Sequence, residues 1–110
     1  MLQGEIWEMY FDSTQGSEQP GRRPAVIISG NMMNQYLEVV IVCPLTTKVK
    51  NYKGNVVLKP SDHNNLVVNS EMLVFHVRSV SKERLKKRIG HITAGELEQA
   101  KQGLVDILKY

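Results

Sequence analysis

Along most of the chain, apolar residues come in short β-branched runs separated by turn-rich polar segments, and only the last third changes to a helical period. Gln3 to Tyr10 predicts a strand. The polar stretch that follows, Asp12 to Gly21, holds two glycines and a proline and is too long for a tight hairpin, and loops of that length often carry function. Pro24 to Ser29 and Glu38 to Cys43 read as buried neighbouring strands joined by a polar turn through Gly30, Asn31 and Asn34. Asn55 to Leu58, Leu66 to Asn69 and Met72 to Val80 are further strands, set off by Lys53-Gly54 and by Pro60 to Asn65, which makes about six in all.

From Ser81 to Arg88 the sequence is charged and helix-compatible, and Gly90 then breaks it. Thr93 followed by Glu96 matches the S/T-x-x-E capping box, which starts a helix at Ala94. Leu97, Ala100, Leu104, Ile107 and Leu108 recur at spacings of three and four, so one face of this helix is expected to pack on the strands. The pattern predicts a mainly β, α+β fold: a small, strongly curved β-barrel with short helices and a C-terminal helix, in one domain over residues 1–110.

Composition narrows the function classes. With 42% hydrophobic and 23% charged residues, the chain has the make-up of a soluble globular protein. The first twelve residues carry acids where a secretory signal would need basic and then apolar residues, and the lone Cys43 cannot pair within the chain, so a cytoplasmic protein is expected. No apolar run approaches the roughly 18 residues of a membrane span. A formal charge of +3 and a pI of about 9.1 accommodate a polyanionic partner without requiring one. His63, His76 and His91 show no metal-ligand spacing, and no phosphate-loop or dinucleotide motif is present, so neither a metal nor a cofactor is expected.

Three segments carry polar residues that a plain strand or turn does not need: Gly16-Ser17-Glu18-Gln19 in the long loop, Arg22-Arg23-Pro24 at the start of the second strand, and Cys43-Pro44-Leu45-Thr46-Thr47-Lys48 at the end of the third. Arg23 offers a planar fork of N–H groups that suits phosphate oxygens, and Thr46 can hydrogen-bond a phosphate oxygen or the arginine itself. A guanidinium holds its proton, so charge stabilisation is the role that fits Arg23 best, which leaves Glu18 as a candidate base or arginine-orienting group. Each has a plain alternative. Arg22-Arg23 can be a solvated turn pair, Thr46-Thr47 can finish a strand by β-propensity, and the basic run Lys82 to Arg88 can be a solvated face or a phosphate contact.

In order along the chain, G-E-I-W at 4–7, G-S-E-Q at 16–19, R-P-A-V at 23–26, C-P-L-T-T-K at 43–48 with Tyr52 after it, V-R-S-V at 77–80, Arg84-Leu85 and Ile89-Gly90 resemble the MazF/PemK toxins. The resemblance implies a homodimeric SH3-like barrel, of the kind shared with CcdB, that cuts single-stranded RNA at short sequences. It further implies attack by the 2′-hydroxyl to leave a 2′,3′-cyclic phosphate and a 5′-hydroxyl, and a cognate acidic antitoxin. The family's catalytic arginine and threonine fall on Arg23 and Thr46, with Glu18 and Thr47 in supporting positions. Gln19, Lys48, Phe75 and Arg78 are the candidate RNA contacts. One departure stands out: several relatives carry an acid followed by glutamine where this chain has Phe75-His76. Phe75 can stack on a base or pack as a core aromatic.

Two other functions use similar barrels. A gyrase poison of the CcdB type would need a C-terminal Trp-Gly-Ile-like ending, whereas this chain ends Val105-Asp106-Ile107-Leu108-Lys109-Tyr110 and its single tryptophan is Trp7. A non-catalytic SH3-like RNA- or protein-binding module would explain fold and charge but not the joint placement of Arg23 and Thr46.

Overall fold

In the computed structural model, which describes residues 1–11 and 21–110, seven antiparallel strands form a bent sheet. They are β1 (Glu5–Tyr10), β2 (Arg22–Ile27), β3 (Val39–Thr46), β4 (Val56–Leu58), β5 (Ser70–Met72), β6 (Arg78–Ser81) and β7 (Leu85–His91). Helix α1 (Asn31–Tyr36) joins β2 to β3, and α2 (Ala94–Lys109) closes the chain. The long loop expected after β1, with Glu18 and Gln19, falls at residues 12–20 and so lies outside the described residues.

The spatial order is β4-β5-β3-β2-β1-β7, with β6 also on β3. Strand β3 organises the fold because its first half pairs with β6 (Val39↔Ser81 to Val42↔Arg78) and its last two residues pair with β5 (Leu45↔Met72, Thr46↔Glu71). Side chains alternate across a strand, and here both faces are covered. One face sends Met9, Ala25, Ile27, Val40, Val42, Val80 and Leu85 into the hollow of the curled sheet, with Trp7 and Phe11 packed against them. The other sends Ile6, Val26, Cys43 and Leu45 into a second cluster, with Val56, Leu58, Met72 and Val74 and with Ala100 of α2. Such doubly buried strands read as near-continuous apolar runs, which is how β2 and β3 read in sequence.

The capping box forms as expected: the Thr93 hydroxyl accepts from the Glu96 backbone N–H at 3.0 Å, and the Glu96 carboxylate accepts from the Thr93 N–H at 2.8 Å. Helix α2 approaches the sheet through Gly103, where an added Cβ would stand 2.0 Å from the Gly54 carbonyl oxygen. Leu97, Ala100 and Leu104 pack on the core as expected, while the last turn is a correction to the predicted face, since Ile107 and Leu108 are exposed. Among the described residues no helix is long and apolar enough to cross a membrane.

Four other expectations change. The Gly30–Asn34 turn is helix α1, organised by buried Asn34, whose amide donates to the Ser29 carbonyl. Leu66–Asn69 is no strand: the Asn64 side chain accepts from the backbone N–H groups of Ser61 and Leu66, Asn65 takes φ 54°, and Val67 and Val68 face solvent. Met72–Val80 follows β3 in two pieces, β5 and β6, separated by a 3-10 turn over Val74–His76. The turn follows Leu73, whose N–H donates to the Pro44 carbonyl at 2.9 Å, and Pro44 itself has no N–H to continue the ladder. The basic Ser81–Arg88 segment is a 3-10 turn at Lys82–Arg84 followed by β7 rather than a helix. Pairing with β1 overrides the local preference, and Gly90 sits inside that strand because a Cβ there would meet the His63 carbonyl oxygen at 2.5 Å.

Candidate functional site

The β2–β3 register runs Ile27↔Val42, Val26↔Cys43, Ala25↔Pro44, and Arg23 and Thr46, each two residues beyond that last pair on its own strand, fall by alternation on the same side as Ala25 and Pro44. Opposed residues share a face, so both side chains continue the row that Ala25, Ile27, Val40 and Val42 begin in the barrel hollow. The row emerges from the core where these polar groups begin. Arg23 is exposed, with Nη2 3.5 Å from the Leu45 carbonyl oxygen and its guanidinium 5.7 Å from the Phe11 ring centroid. Arg78, at the start of β6, reaches the same ring at 5.3 Å. A ring face attracts a guanidinium without consuming its N–H donors, so Phe11 gathers two cations and leaves their hydrogen-bonding edges available.

Arg22 points the other way. Its Nη1 lies 3.3 Å from Glu8 Oε1 and its guanidinium 5.1 Å from the Tyr10 ring, and contact with Tyr10 and the charge of Glu8 raise its pKa further. Arg23, by contrast, has no carboxylate partner among the described residues. An open cavity of about 290 Å³ adjoins Arg78 and is lined by Phe11, Ser79, Val80, Ser81 and Arg84.

Thr46 Oγ1 accepts the Lys48 backbone N–H at 3.1 Å. Accepting that bond fixes the hydroxyl while leaving its proton to donate outward. The same turn brings Thr47 and Lys48 to the surface.

On the other side of β3, Thr46 stands opposite Glu71, a fully buried carboxylate. Glu71 Oε1 accepts from the N–H groups of Lys50 (2.7 Å) and Asn51 (2.8 Å), and Oε2 accepts from Tyr52 N–H (2.9 Å) and Asn55 Nδ2 (2.9 Å). Burial on its own would raise the pKa, but the bonds from Asn55, Lys50, Asn51 and Tyr52 outweigh it and hold this carboxyl below the usual range. Asn55 Oδ1 in turn accepts Val74 N–H at 2.9 Å, which ties the 3-10 turn to the same anchor. That turn exposes Phe75 instead of burying it in the core, in edge contact with Tyr52 (5.8 Å) and His76 (4.7 Å).

Of the residues singled out from sequence, Arg23, Thr46, Thr47 and Lys48 gather at the adjoining ends of β2 and β3, and Arg78 joins them through Phe11. Phe75 lies beyond Thr46 on the Glu71 side, and Glu18 and Gln19 lie outside the described residues. Sequence reasoning passed over Phe11, although the alternation Trp7-Met9-Phe11 points to it, and Glu71, which no spacing marks. His63 and His91 stack at 5.3 Å on β7 and its neighbouring turn. Among the described residues no three His, Cys, Asp or Glu side chains are placed to hold a metal ion.

Comparison with known proteins bears on the family and the fold. The model of the PemK-like, MazF-like toxins of type II toxin-antitoxin systems matches residues 2–108. The chain is 32% identical over 109 residues to the endoribonuclease MazF9 of Mycobacterium tuberculosis, covering 94% of this chain and 92% of that one. It is 28% identical over 106 residues to an endoribonuclease MazF of Staphylococcus saprophyticus, covering 94% and 88%. Among solved structures, MazF from Deinococcus radiodurans superposes with a TM-score of 0.80 at 26% identity, over 100% of this chain and 97% of that one. A MazE–MazF structure from the same organism gives 0.80 at 25% identity, over 99% and 96%. The chain belongs to the PemK-like, MazF-like toxin family of type II toxin-antitoxin systems.

Proposed function

We propose that residues 1–110 act as one toxin domain, a sequence-specific endoribonuclease that cuts single-stranded mRNA and so blocks translation in the cytoplasm. What supports this reading is that Arg23, without a carboxylate partner among the described residues, and Thr46, its proton free to donate, lie on the same face at the ends of two paired strands. The substrate's 2′-hydroxyl gives up its proton and attacks the adjacent phosphorus, and the bond to the 5′-oxygen breaks as that oxygen takes a proton from water, leaving a 2′,3′-cyclic phosphate and a 5′-hydroxyl. Arg23 binds the non-bridging oxygens as charge builds on phosphorus, and Thr46 donates to the same group. Glu18 accepts the 2′-hydroxyl proton or orients Arg23, and Thr47 supports Thr46. Gln19, Lys48, Phe75 and Arg78 contact the RNA.

The nucleophile belongs to the substrate, so no metal-activated water is needed and no cofactor takes part. The active form is a homodimer, and a cognate antitoxin lays an acidic segment across the basic surface and inhibits by occupancy. The test is incubation of purified protein with RNA in excess EDTA, beside an RNA carrying deoxyribose at the cleaved nucleotide. Cleavage in EDTA with resistance of the deoxy substrate is expected. Loss of cutting on chelation with rescue by one divalent ion, or cutting of the deoxy substrate at the same bond, would overturn the mechanism.

A further inference from the structure

We infer that Tyr52, Phe75 and His76 form a nucleobase-binding platform beside Thr46, and that buried Glu71 and Asn55 are the positioning residues that hold it. The identity of the ligand as single-stranded RNA rests on the endoribonuclease reading above. Tyr52 and Phe75 are 52% and 45% exposed, large aromatics on the surface with no covering element among the described residues. Phe75 meets Tyr52 at an interplanar angle of 70° and His76 at 62°, so neither ring lies parallel over it. A base can therefore stack there, and the His76 ring nitrogens add hydrogen-bonding groups at the rim.

Its position follows from strand pairing. Thr46 and Glu71 are direct partners, with Cα atoms roughly 4.5 to 5.5 Å apart and side chains on one face. From Glu71 the anchor divides: one oxygen holds the Lys50–Asn51 turn, the other holds Tyr52 and Asn55, and Asn55 passes the constraint to Val74, next to Phe75. The two rings come from segments about twenty residues apart in sequence and are fixed relative to each other by one carboxylate and one amide. A phosphodiester seated at Arg23 and Thr46 would put a flanking base toward this platform, with Lys48 beside the backbone. Stacking on a pre-positioned ring adds affinity because little ordering is left to be done on binding.

The test measures equilibrium binding of a randomised 2′-O-methyl RNA pool about twelve nucleotides long, which supplies no nucleophile and reports affinity apart from cleavage. Phe75→Ala is expected to weaken binding roughly 5- to 150-fold, while Phe75→Tyr stays near wild type. Tyr36→Ala, which removes an exposed aromatic at the end of α1, by the opposite end of β3 from Thr46, is expected to bind as wild type. Glu71→Gln, compared at a temperature where it is folded, should also lose affinity. Combined with Phe75→Ala it should be little worse than the weaker single variant, a non-additivity that general loosening would not produce. Phe75→Ala binding within about twofold of wild type, while wild type cleaves RNA, would overturn the platform and leave the ribonuclease reading standing. Wild type that binds the pool but never cuts ribose RNA would overturn the ribonuclease reading, with the Phe75 comparison still deciding the platform. Absence of any binding by wild type would overturn both.

Discussion

Glu71→Gln is nearly isosteric, yet the geometry makes it costly. The carboxylate receives four donors, two on each oxygen. A glutamine carbonyl can serve one pair, but its amide then faces two N–H groups of the other pair and satisfies neither. Reversing the Asn55 amide would only move the deficit to the Val74 N–H that Asn55 Oδ1 now accepts. Hydrogen bonds to a charged acceptor contribute about 1.5 to 3 kcal/mol each, so two lost bonds come to about 3 to 6 kcal/mol, offset in part because a neutral amide is cheaper to bury than a carboxylate. A net loss of about 2 to 4 kcal/mol is expected, which for a domain of this size lowers Tm by about 10 to 20 °C. The pH dependence supplies a second check with a definite sign. A folded-state pKa below the ordinary 4.5 means that the wild-type contribution is complete above that value and is lost as the pH falls through the folded pKa. The gap between wild type and Glu71→Gln, followed by urea unfolding, should therefore be constant from neutrality to about pH 5 and shrink on further acidification. A gap under about 0.5 kcal/mol at neutral pH, or one that does not change on acidification, would refute the anchoring role.

Gly103→Ala gains helix propensity of about 1 kcal/mol but drives a Cβ to 2.0 Å from the Gly54 carbonyl oxygen, so thermal unfolding should show a net loss of about 1 to 3 kcal/mol. Cys43 is buried and its pKa is pushed up to about 12, so thiol reagents at neutral pH should label it only after denaturation, as read by mass spectrometry. Thr46→Val keeps the β-branched shape and deletes the hydroxyl, so the fold should persist while single-turnover cleavage falls; combined with Arg23→Ala, the loss should be little worse than the larger single effect. Light scattering at micromolar concentration should give a dimer, and a monomer would count against the proposed assembly.

Much of this architecture was legible in the residues because its signals are physical and local. The doubly buried strands β2 and β3 appear as unbroken apolar runs, and Thr93 with Glu96 fixes the start of α2 through hydrogen bonds within one turn. The failures share a cause: partners distant in sequence decided the conformation. The Lys82–Arg88 run has helical composition, yet from Leu85 on it is drawn into β7 by pairing with β1, more than 70 residues away. In sequence Phe75 fits a core aromatic as well as a stacking one, and the 3-10 turn over Val74–His76 decides by lifting it out of the core. The proposed pair, Arg23 and Thr46, is marked in the sequence by motifs at two strand ends. Glu71 is not, because a carboxylate between Ser70 and Met72 reads as solvent-facing unless four donors from other segments are known to converge on it.

The central claim is that Arg23 acts on the transition state of RNA cleavage, and one measurement meets it directly: single-turnover cleavage of RNA by wild type and by Arg23→Ala, with 5′-end sequencing of the fragments and RNA affinity measured beside the rate. Wild type should produce 5′-hydroxyl fragments at a short recurrent sequence, and Arg23→Ala should remain folded and bind RNA with a much smaller loss while cleaving on the order of 10²- to 10³-fold more slowly. Near-wild-type cleavage by a folded Arg23→Ala protein would contradict the account.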